Sequence, residues 1–260
     1  MFERHARGMR PTAACRAMLP FLEATLKLLA NGAQSLHDVQ SGAAGSLHIG
    51  ALPAACRGEI MAGVAQFSGR CPQFRIHLEE NNLSALHEHL DDGVYDAVLV
   101  RAPSPLHDRH RFHGLQEDYS IVLARKGHRL ARRRALTLQE LVRERWLVLP
   151  TGNTSRTIFE SWFSAMPGRP DIVNISTPSL SALTSLVAEV DALIVLPRSF
   201  AIPALASGQL CALNVARCDP LLPLGILWQP AKASVAAQTF VDWMIARSKR
   251  GDELGTQTCR

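Results

Sequence analysis

The chain contains 260 residues, of which 47% are hydrophobic and 20% charged, with a formal net charge of +5. This composition is typical of a globular protein and excludes disordered, collagen-like and low-complexity chains. No apolar run approaches the ~18–20 residues that a membrane-spanning helix needs, and the N-terminus lacks the apolar core of a signal peptide, so we expect a cytoplasmic protein with no membrane partner.

The first predicted element is an amphipathic helix between residues 12 and 36. Its apolar residues alternate between spacings of three and four and form one narrow seam: Leu19, Leu22, Leu26, Leu29, Ala33 and Leu36. Such a seam favours pairing with a second helix, although packing on the helix's own domain is the alternative. Pro20 removes a backbone donor, so the helix either starts near Pro20 or is kinked there.

A small, polar linker at residues 40–45 separates this helix from alternating strands and helices. Strands are predicted at 47–49, 74–78 and 97–100, with helices at 60–67 and 83–90 between them. Because the last of these strands is a short continuous apolar run, it is typical of a buried parallel strand. The rhythm predicts a doubly wound α/β unit with right-handed crossovers.

The same rhythm continues after residue 118 and predicts a second α/β lobe of similar size. Strands are predicted at 121–123, 146–149, 172–175, 193–196 and 222–228, and helices at 137–142, 156–164, 180–190 and 235–244. Thr137 and Glu140 have the spacing of a capping box at the start of a helix.

The common catalytic signatures are missing from the sequence, which lacks a nucleophile elbow, a P-loop, a dinucleotide-binding glycine motif and a zinc-protease motif. We therefore predict no enzyme, no cofactor and no metal site. Two less favoured alternatives remain, namely a metal bound by His107, His110 and His113, and a redox switch formed by Cys211 and Cys218.

A basic segment holds six cations within ten residues: Arg125, Lys126, Arg129, Arg132, Arg133 and Arg134. The favoured interpretation is a solvated surface loop.

Four motifs in order give the chain a resemblance to LysR-type transcriptional regulators: 2–14, 45–50, the Gly-x-x-Asp at Gly93–Asp96, and 186–197. The resemblance implies an α/β fold of two doubly wound lobes, similar to type 2 periplasmic binding proteins, preceded by a linker helix. It implies a remnant of the DNA-binding wing at 1–12, a dimerisation helix at 13–40, lobe I at 46–118 plus 224–248, lobe II at 119–223 and a flexible tail at 249–260. Most of the winged helix-turn-helix is expected to be missing from this chain.

The resemblance also implies a small-molecule effector, with an anion as one option, held between the lobes to control the geometry of a DNA-bound homodimer or homotetramer. The candidate effector ligands are Pro53, Ala54, Asn82, Leu83, Arg101, Thr151, Gly152, Asn153, Thr177 and Ser179, and the candidate phosphate contacts are Arg4, Arg7 and Arg10. Helix capping is the alternative role for Asn82 and for the residues after Pro150. For Arg101 the alternative role is an ion pair with a surface acid.

The resemblance further implies DNA as a partner of the full-length form, and this chain alone is expected to bind DNA weakly and with strong salt dependence. The alternative functions are a cytosolic solute-binding protein without a DNA role and an enzyme of similar two-lobed architecture.

Overall fold

A computed structural model describes residues 2–5, 8–177 and 179–255 of the chain. In chain order its elements are β1 (Phe2–His5), β2 (Gly8–Pro11), α1 (Ala13–Gln40), β3 (Gly45–Ala51), α2 (Gly58–Arg70), β4 (Phe74–Glu80), α3 (Leu83–Asp91), β5 (Ala97–Arg101), β6 (Arg111–Arg125), α4 (Leu138–Leu141), β7 (Arg145–Trp146), α5 (Thr154–Phe163), β8 (Asp171–Ile172), α6 (Leu180–Glu189), β9 (Ile194–Pro197), α7 (Arg198–Ala206), β10 (Leu210–Ala212), β11 (Pro220–Trp228) and α8 (Val235–Gly255). A 3-10 turn at Pro230–Lys232 precedes α8.

The N-terminal helix α1 is longer than the seam alone predicts. The Thr12 hydroxyl accepts a hydrogen bond from the Cys15 amide at 3.1 Å and caps the helix, which therefore begins at Ala13 and passes through Pro20. Of the two alternatives for Pro20, a helix start near that residue is therefore wrong. Pro20 lies in the second turn, where the ladder bond that it removes is one among many in a 28-residue helix.

The chain forms two compact units. Lobe I contains the residues up to Gln116 together with those from Leu224 onward, and lobe II is Glu117–Pro223. The chain passes from one unit to the other within β6 and returns within β11.

Lobe I is built on a mixed sheet in the order β11–β5–β3–β4. Strand β3 runs parallel to both β4 and β5, whereas β11 runs antiparallel to β5. Phe67 of α2 and Phe240 of α8 pack in one core cluster, and Leu86 of α3 packs in the other. The two clusters draw on alternate residues of β5, so helices cover both faces of this sheet as the doubly wound prediction requires.

Lobe II is organised around β6, which pairs antiparallel with β10 and β9. Alternate residues of β6 enter two cores: Val122 packs with Trp146, and Leu123 packs with Leu183. The capping box is confirmed, because the Glu140 carboxylate accepts hydrogen bonds from the Thr137 amide at 2.9 Å and hydroxyl at 3.1 Å. The α/β class is therefore confirmed in both lobes.

Several element boundaries differ from the prediction. Strand β6 has 15 residues where only 121–123 was predicted, and the helix α7 after Pro197 was not predicted. The predicted strands at 146–149 and 172–175 are reduced to two residues each, β7 and β8. An apolar run indicates burial, and Leu147–Leu149 are buried without forming a continuous ladder.

Helix α8 continues through Gly255 and so passes the predicted boundary at residue 248, whereas residues 256–260 lie outside the described part. Among the described residues, no helix combines the length and apolarity that a membrane crossing requires.

Candidate functional site

The carboxyl ends of three parallel strands of lobe I meet at one edge of its sheet. Ala51 is in register with Glu80 of β4 and with Leu99 of β5. The Leu52 amide donates to the Leu99 carbonyl at 2.9 Å, and the Asn81 amide donates to the Ala51 carbonyl at 3.0 Å. The structure therefore brings the lobe I candidates together at this edge: Pro53, Ala54, Asn82, Leu83 and Arg101. Crevices at such edges are the usual ligand sites of α/β sheets.

These lobe I residues play different local roles. Pro53 and Ala54 form a half-buried turn, and Arg101 is half-buried at the last position of β5. The Asn82 side chain accepts from the Ala85 amide at 3.0 Å, so it caps α3 as the alternative interpretation proposed. Leu83 is exposed in the first turn of that helix.

Sequence reasoning missed three side chains at this edge, namely Cys56, Arg57 and Glu80. Burial and the nearby Glu80 carboxylate raise the pKa of the Cys56 thiol to about 11, and the adjacent Arg57 guanidinium opposes that rise. The thiol is therefore protonated at neutral pH, and the edge presents both a guanidinium and a carboxylate. No sequence motif marks Arg57, which directly precedes α2 and its first residue Gly58, at a φ of +59°.

In lobe II, the candidate residues cluster before two helices. The Asn153 side chain accepts from the Ser155 amide at 3.0 Å and caps α5, and the Ser179 hydroxyl accepts from the Ala182 amide at 3.3 Å and caps α6. The Thr177 hydroxyl accepts from the Ser179 amide at 3.1 Å. Thr151 and Gly152 form an exposed turn before α5.

Thr151 also lines a recess of about 330 Å³ within lobe II. The remaining lining residues are Val148, Leu149, Pro150, Arg156, Ile172, Val173, Asn174, Ile175 and Ser176. Thr151 is thus the one lobe II candidate among these lining residues. Arg156, which sequence reasoning missed, adds a cation that pairs with Glu160 at 2.6 Å.

Two of the three candidate arginines, Arg4 and Arg10, lie on the antiparallel pair β1–β2, which we call the N-terminal hairpin. Arg4 is in register with Met9, and Arg10 with Glu3, and both arginines are exposed. Because side chains alternate along a strand, Arg4 and Arg10 lie on opposite faces of this two-stranded ribbon. Arg7 lies outside the described residues.

The metal and redox alternatives gain no support. His110 is buried with its Nε2 2.8 Å from Asp91 Oδ1, and His113 Nε2 is 3.1 Å from the Ser248 hydroxyl. Across the described part of the chain, no group of three His, Cys, Asp or Glu side chains is arranged to hold a metal ion. Burial raises the pKa of both Cys211 and Cys218, which disfavours the reactive thiolate.

A polar network joins α1 to the sheet of lobe I. The buried Asp38 carboxylate accepts from the Ser46 hydroxyl at 2.7 Å and the Gln34 amide at 3.1 Å, and it lies 2.7 Å from His77 Nε2. His77 stacks on His48 with ring centroids 4.8 Å apart. These five residues form what we call the junction network. No local pattern predicts it, because its members come from a helix and two strands.

Further contacts extend this face of α1. Lys27 Nζ lies 2.6 Å from Glu79 and 3.2 Å from the Tyr95 hydroxyl, and the Asn31 amide donates to the Val94 carbonyl at 2.8 Å. A recess of about 380 Å³ lies between this helix face and the sheet. One face of α1 is therefore committed to lobe I.

We expect the docking of α1 through the junction network to depend on pH. The hydrogen bond with His77 lowers the pKa of Asp38 to about 2 against the opposing effect of burial, so the stabilisation is complete above the ordinary carboxyl pKa of 3.8 and is lost as the pH falls towards 2. We expect Asp38→Asn to lower the urea midpoint of lobe I at pH 7, and the difference from the unchanged chain to shrink between pH 5 and 3.

The matched control for this experiment is Asp92→Asn, which removes one exposed carboxylate at the end of α3. A constant difference between Asp38→Asn and the unchanged chain across this pH range would contradict the prediction. Hydrogen exchange of the α1 amides would show directly whether the helix is released.

The opposite face of α1 is exposed. Leu19, Leu22, Leu26, Leu29 and Leu36 of the predicted seam all lie among the exposed large hydrophobic residues. Two residues of α1 that bond to the sheet of lobe I lie two positions from seam residues: Lys27 from Leu29, and Asp38 from Leu36. Two positions correspond to about 200° around a helix, so the seam points away from lobe I.

The fold defines the class of the protein, which is an α/β domain of two compact units that follows a long N-terminal helix. The family model described as the LysR substrate binding domain matches residues 40–249. The chain therefore belongs to the LysR family of transcriptional regulators and contains its substrate binding domain.

A similar curated protein is the HTH-type transcriptional regulator GbpR of Azospirillum brasilense, which is 25% identical over 232 residues, covering 88% of this chain and 67% of the relative. This chain spans between 54% and 61% of the length of four further relatives, all transcriptional regulators by name.

Two solved structures show the same fold. Full-length CbnR in complex with its target DNA has a TM-score of 0.71 at 15% identity, covering 92% of this chain and 83% of CbnR. The regulatory domain of CcmR from Synechocystis PCC6803, in complex with 2-PG, has a TM-score of 0.67 at 19% identity, covering 78% of this chain and 97% of that domain.

Proposed function

We propose that this chain is the effector-binding and dimerisation part of a LysR-type transcriptional regulator, and that its effector is a small anionic metabolite. The observation that carries the proposal is the family match over residues 40–249, joined to a helix whose leucine seam is exposed. A solute-binding protein without a DNA role does not account for that seam or for the basic hairpin that precedes it.

The anionic class is supported by the cations beside the candidate residues. Arg57 and Arg101 lie at the strand edge of lobe I, and Arg156 lines the recess of lobe II. Guanidinium groups bind carboxylates and phosphates through two parallel hydrogen bonds. The solved domain of CcmR holds 2-PG, which is a property of that protein and agrees with a small ligand here. Contact of one metabolite with both lobes stays a prediction.

The remaining parts of the proposal follow from the exposed elements. The seam of α1 pairs with the same seam of a second copy to form a dimer. Arg4 and Arg10 contact DNA phosphates in the complete regulator, where they provide position rather than sequence readout. Effector binding shifts the population of lobe arrangements and thereby the geometry of the oligomer on DNA. A cytoplasmic location stays a prediction.

A thermal-shift screen of small carboxylates and phosphates tests the effector part. A ligand present at 100 times its dissociation constant stabilises the native state by about 2.7 kcal/mol, and we expect a rise in melting temperature of about 5 °C or more. Failure of every compound in a broad anion panel, with success of neutral sugars, would contradict the anionic class.

A ligand found in this way permits a test of the recess. Thr151→Val should weaken its binding about tenfold, because a lost hydrogen bond of about 1.4 kcal/mol changes affinity by that factor. Thr239→Val is the matched control, since its hydroxyl donates only to the Val235 carbonyl one turn earlier on α8. Equal affinity of both variants for the ligand would remove Thr151 from the binding site.

A further inference from the structure

The basic segment Arg125–Arg134 lies in the part of lobe II that holds most of the positive charge of that lobe. Residues 125–145 contain eight lysines and arginines against two glutamates, whereas the rest of lobe II contains four such cations and seven acidic residues. Positive charge in this lobe is therefore concentrated in one stretch. A surface loop that is merely solvated does not explain why the positive charge of lobe II is concentrated in this one stretch.

Half of the six cations in the segment have acidic partners. Arg125 pairs with Asp191 at 2.6 Å, Arg133 with Glu140 at 2.5 Å, and Arg129 with Glu144. The other three cations are Lys126, Arg132 and Arg134, which are exposed. Within the described residues, no acidic side chain pairs with any of these three.

The backbone that carries these cations is anchored. His128 and Leu130 are buried between the exposed cations, and Leu136 is fully buried in the same core of lobe II as Leu130. The Ala131 amide donates to the His128 carbonyl at 2.9 Å, and the Leu136 amide donates to the Asn214 carbonyl at 2.8 Å. The segment thus presents its cations from a fixed loop, so little backbone entropy is lost when a partner binds.

Like charges held close together repel one another, and a polyanion relieves that repulsion. Five of the six cations are arginines, whose planar guanidinium binds phosphate oxygens in pairs. Duplex DNA carries one charge per ~1.7 Å of its axis, a density that matches several cations on one short loop.

We propose that the 125–134 loop of lobe II is a second, sequence-independent contact with the DNA backbone, additional to that of the N-terminal hairpin. The choice of DNA as the polyanion rests on the proposed function. The inference that the loop binds a phosphate-rich partner rests only on the charge of the loop. Lys126, Arg132 and Arg134 supply the contact, because no acidic side chain among the described residues neutralises their charges.

The experiment measures binding of the 260-residue chain to a labelled 25-base-pair duplex of arbitrary sequence, by fluorescence anisotropy between 25 and 200 mM NaCl. The loop variant carries Lys126→Gln, Arg132→Gln and Arg134→Gln. The control variant carries Arg75→Gln, Arg169→Gln and Lys249→Gln, three exposed and scattered cations, so both variants lose three positive charges. Melting temperatures check that all three chains are folded.

We expect the loop variant to bind the duplex about tenfold or more weakly at low salt, with a logarithmic salt slope shallower by about 2 to 3, because each lost phosphate contact removes about 0.9. The control variant should change affinity less than about threefold. Equal losses in both variants would show that only net charge matters, and an unchanged loop variant would show no contact; either result overturns the inference.

Two further measurements separate the alternatives. A polyglutamate peptide that binds in a loop-dependent manner, while the duplex does not, would overturn DNA as the partner. Arg4→Gln with Arg10→Gln tests the hairpin contact of the proposed function, and that loss should add to the loop effect. A chain that responds to an effector in thermal shift but shows no loop-dependent DNA binding contradicts only the inference on the loop.

Discussion

The variant with Leu26→Asp and Leu29→Asp is expected to sediment as a monomer at concentrations where the unchanged chain is a dimer. Both leucines lie in the exposed seam, at 66% and 67% of their full accessibility. Burial of one leucine contributes about 1.5–3 kcal/mol, and a twofold interface would lose four of them. We therefore expect the dissociation constant of the dimer to rise by about 100-fold or more.

The control for this experiment is Phe21→Asp, which makes the same change of polarity on the same helix. Phe21 is 73% exposed and lies about 200° around the helix from Leu19, outside the seam. We expect it to leave the dimer unchanged. If Phe21→Asp dissociates the dimer as strongly as the double substitution, or if the double variant stays dimeric, the seam is not the pairing surface.

The second large effect is expected from Gly225→Ala in β11. An added Cβ at this position would lie 2.1 Å from the His113 carbonyl oxygen and 2.5 Å from Cζ of Phe112. The obstacle is backbone of the neighbouring strand β6, which cannot rotate away as a side chain can. Overpacking typically costs about 1–3 kcal/mol, and a backbone obstacle favours the upper end of that range, so the urea midpoint of lobe I should fall clearly.

Gly69→Ala in α2 makes the same chemical change with the opposite expected sign. A Cβ at Gly69 has nothing within 4 Å, and alanine favours the helical conformation by up to about 1 kcal/mol over glycine. A small rise in the urea midpoint is therefore expected. If Gly225→Ala had the same urea midpoint as the unchanged chain, the prediction would be wrong. That result would show that β6 and β11 move apart more easily than their spacing indicates.

The family and the fold class were accessible from sequence because they depend on local and ordered patterns. The apolar run 97–100, the helical spacing of Leu83, Leu86 and Leu90, and the capping box at Thr137 each lie within one element. The lobe I candidate residues also converge at one edge, since a parallel sheet places the ends of its strands together. Whether they bind an effector stays a prediction.

The parts that sequence reasoning missed depend on contacts between segments far apart in the chain. The run at 146–149 looks like a strand because it is buried, yet a ladder also needs a partner strand of matching length. Arg57 and Arg156 have no motif that distinguishes them from other surface arginines, and only the neighbourhood of Glu80 and of the lobe II recess singles them out.

The sequence by itself determined the period of α1 and hence that its leucines share one face, because a helix repeats every 3.6 residues whatever surrounds it. It equally determined the alternation of strands and helices and the concentration of cations at 125–134. Only the tertiary structure decided that Asp38 and Lys27 dock the other face of α1 on lobe I and leave the leucines exposed. It also decided which cations of the loop find acidic partners. Both outcomes depend on which distant segments are brought within hydrogen-bonding distance, and no local pattern encodes that distance.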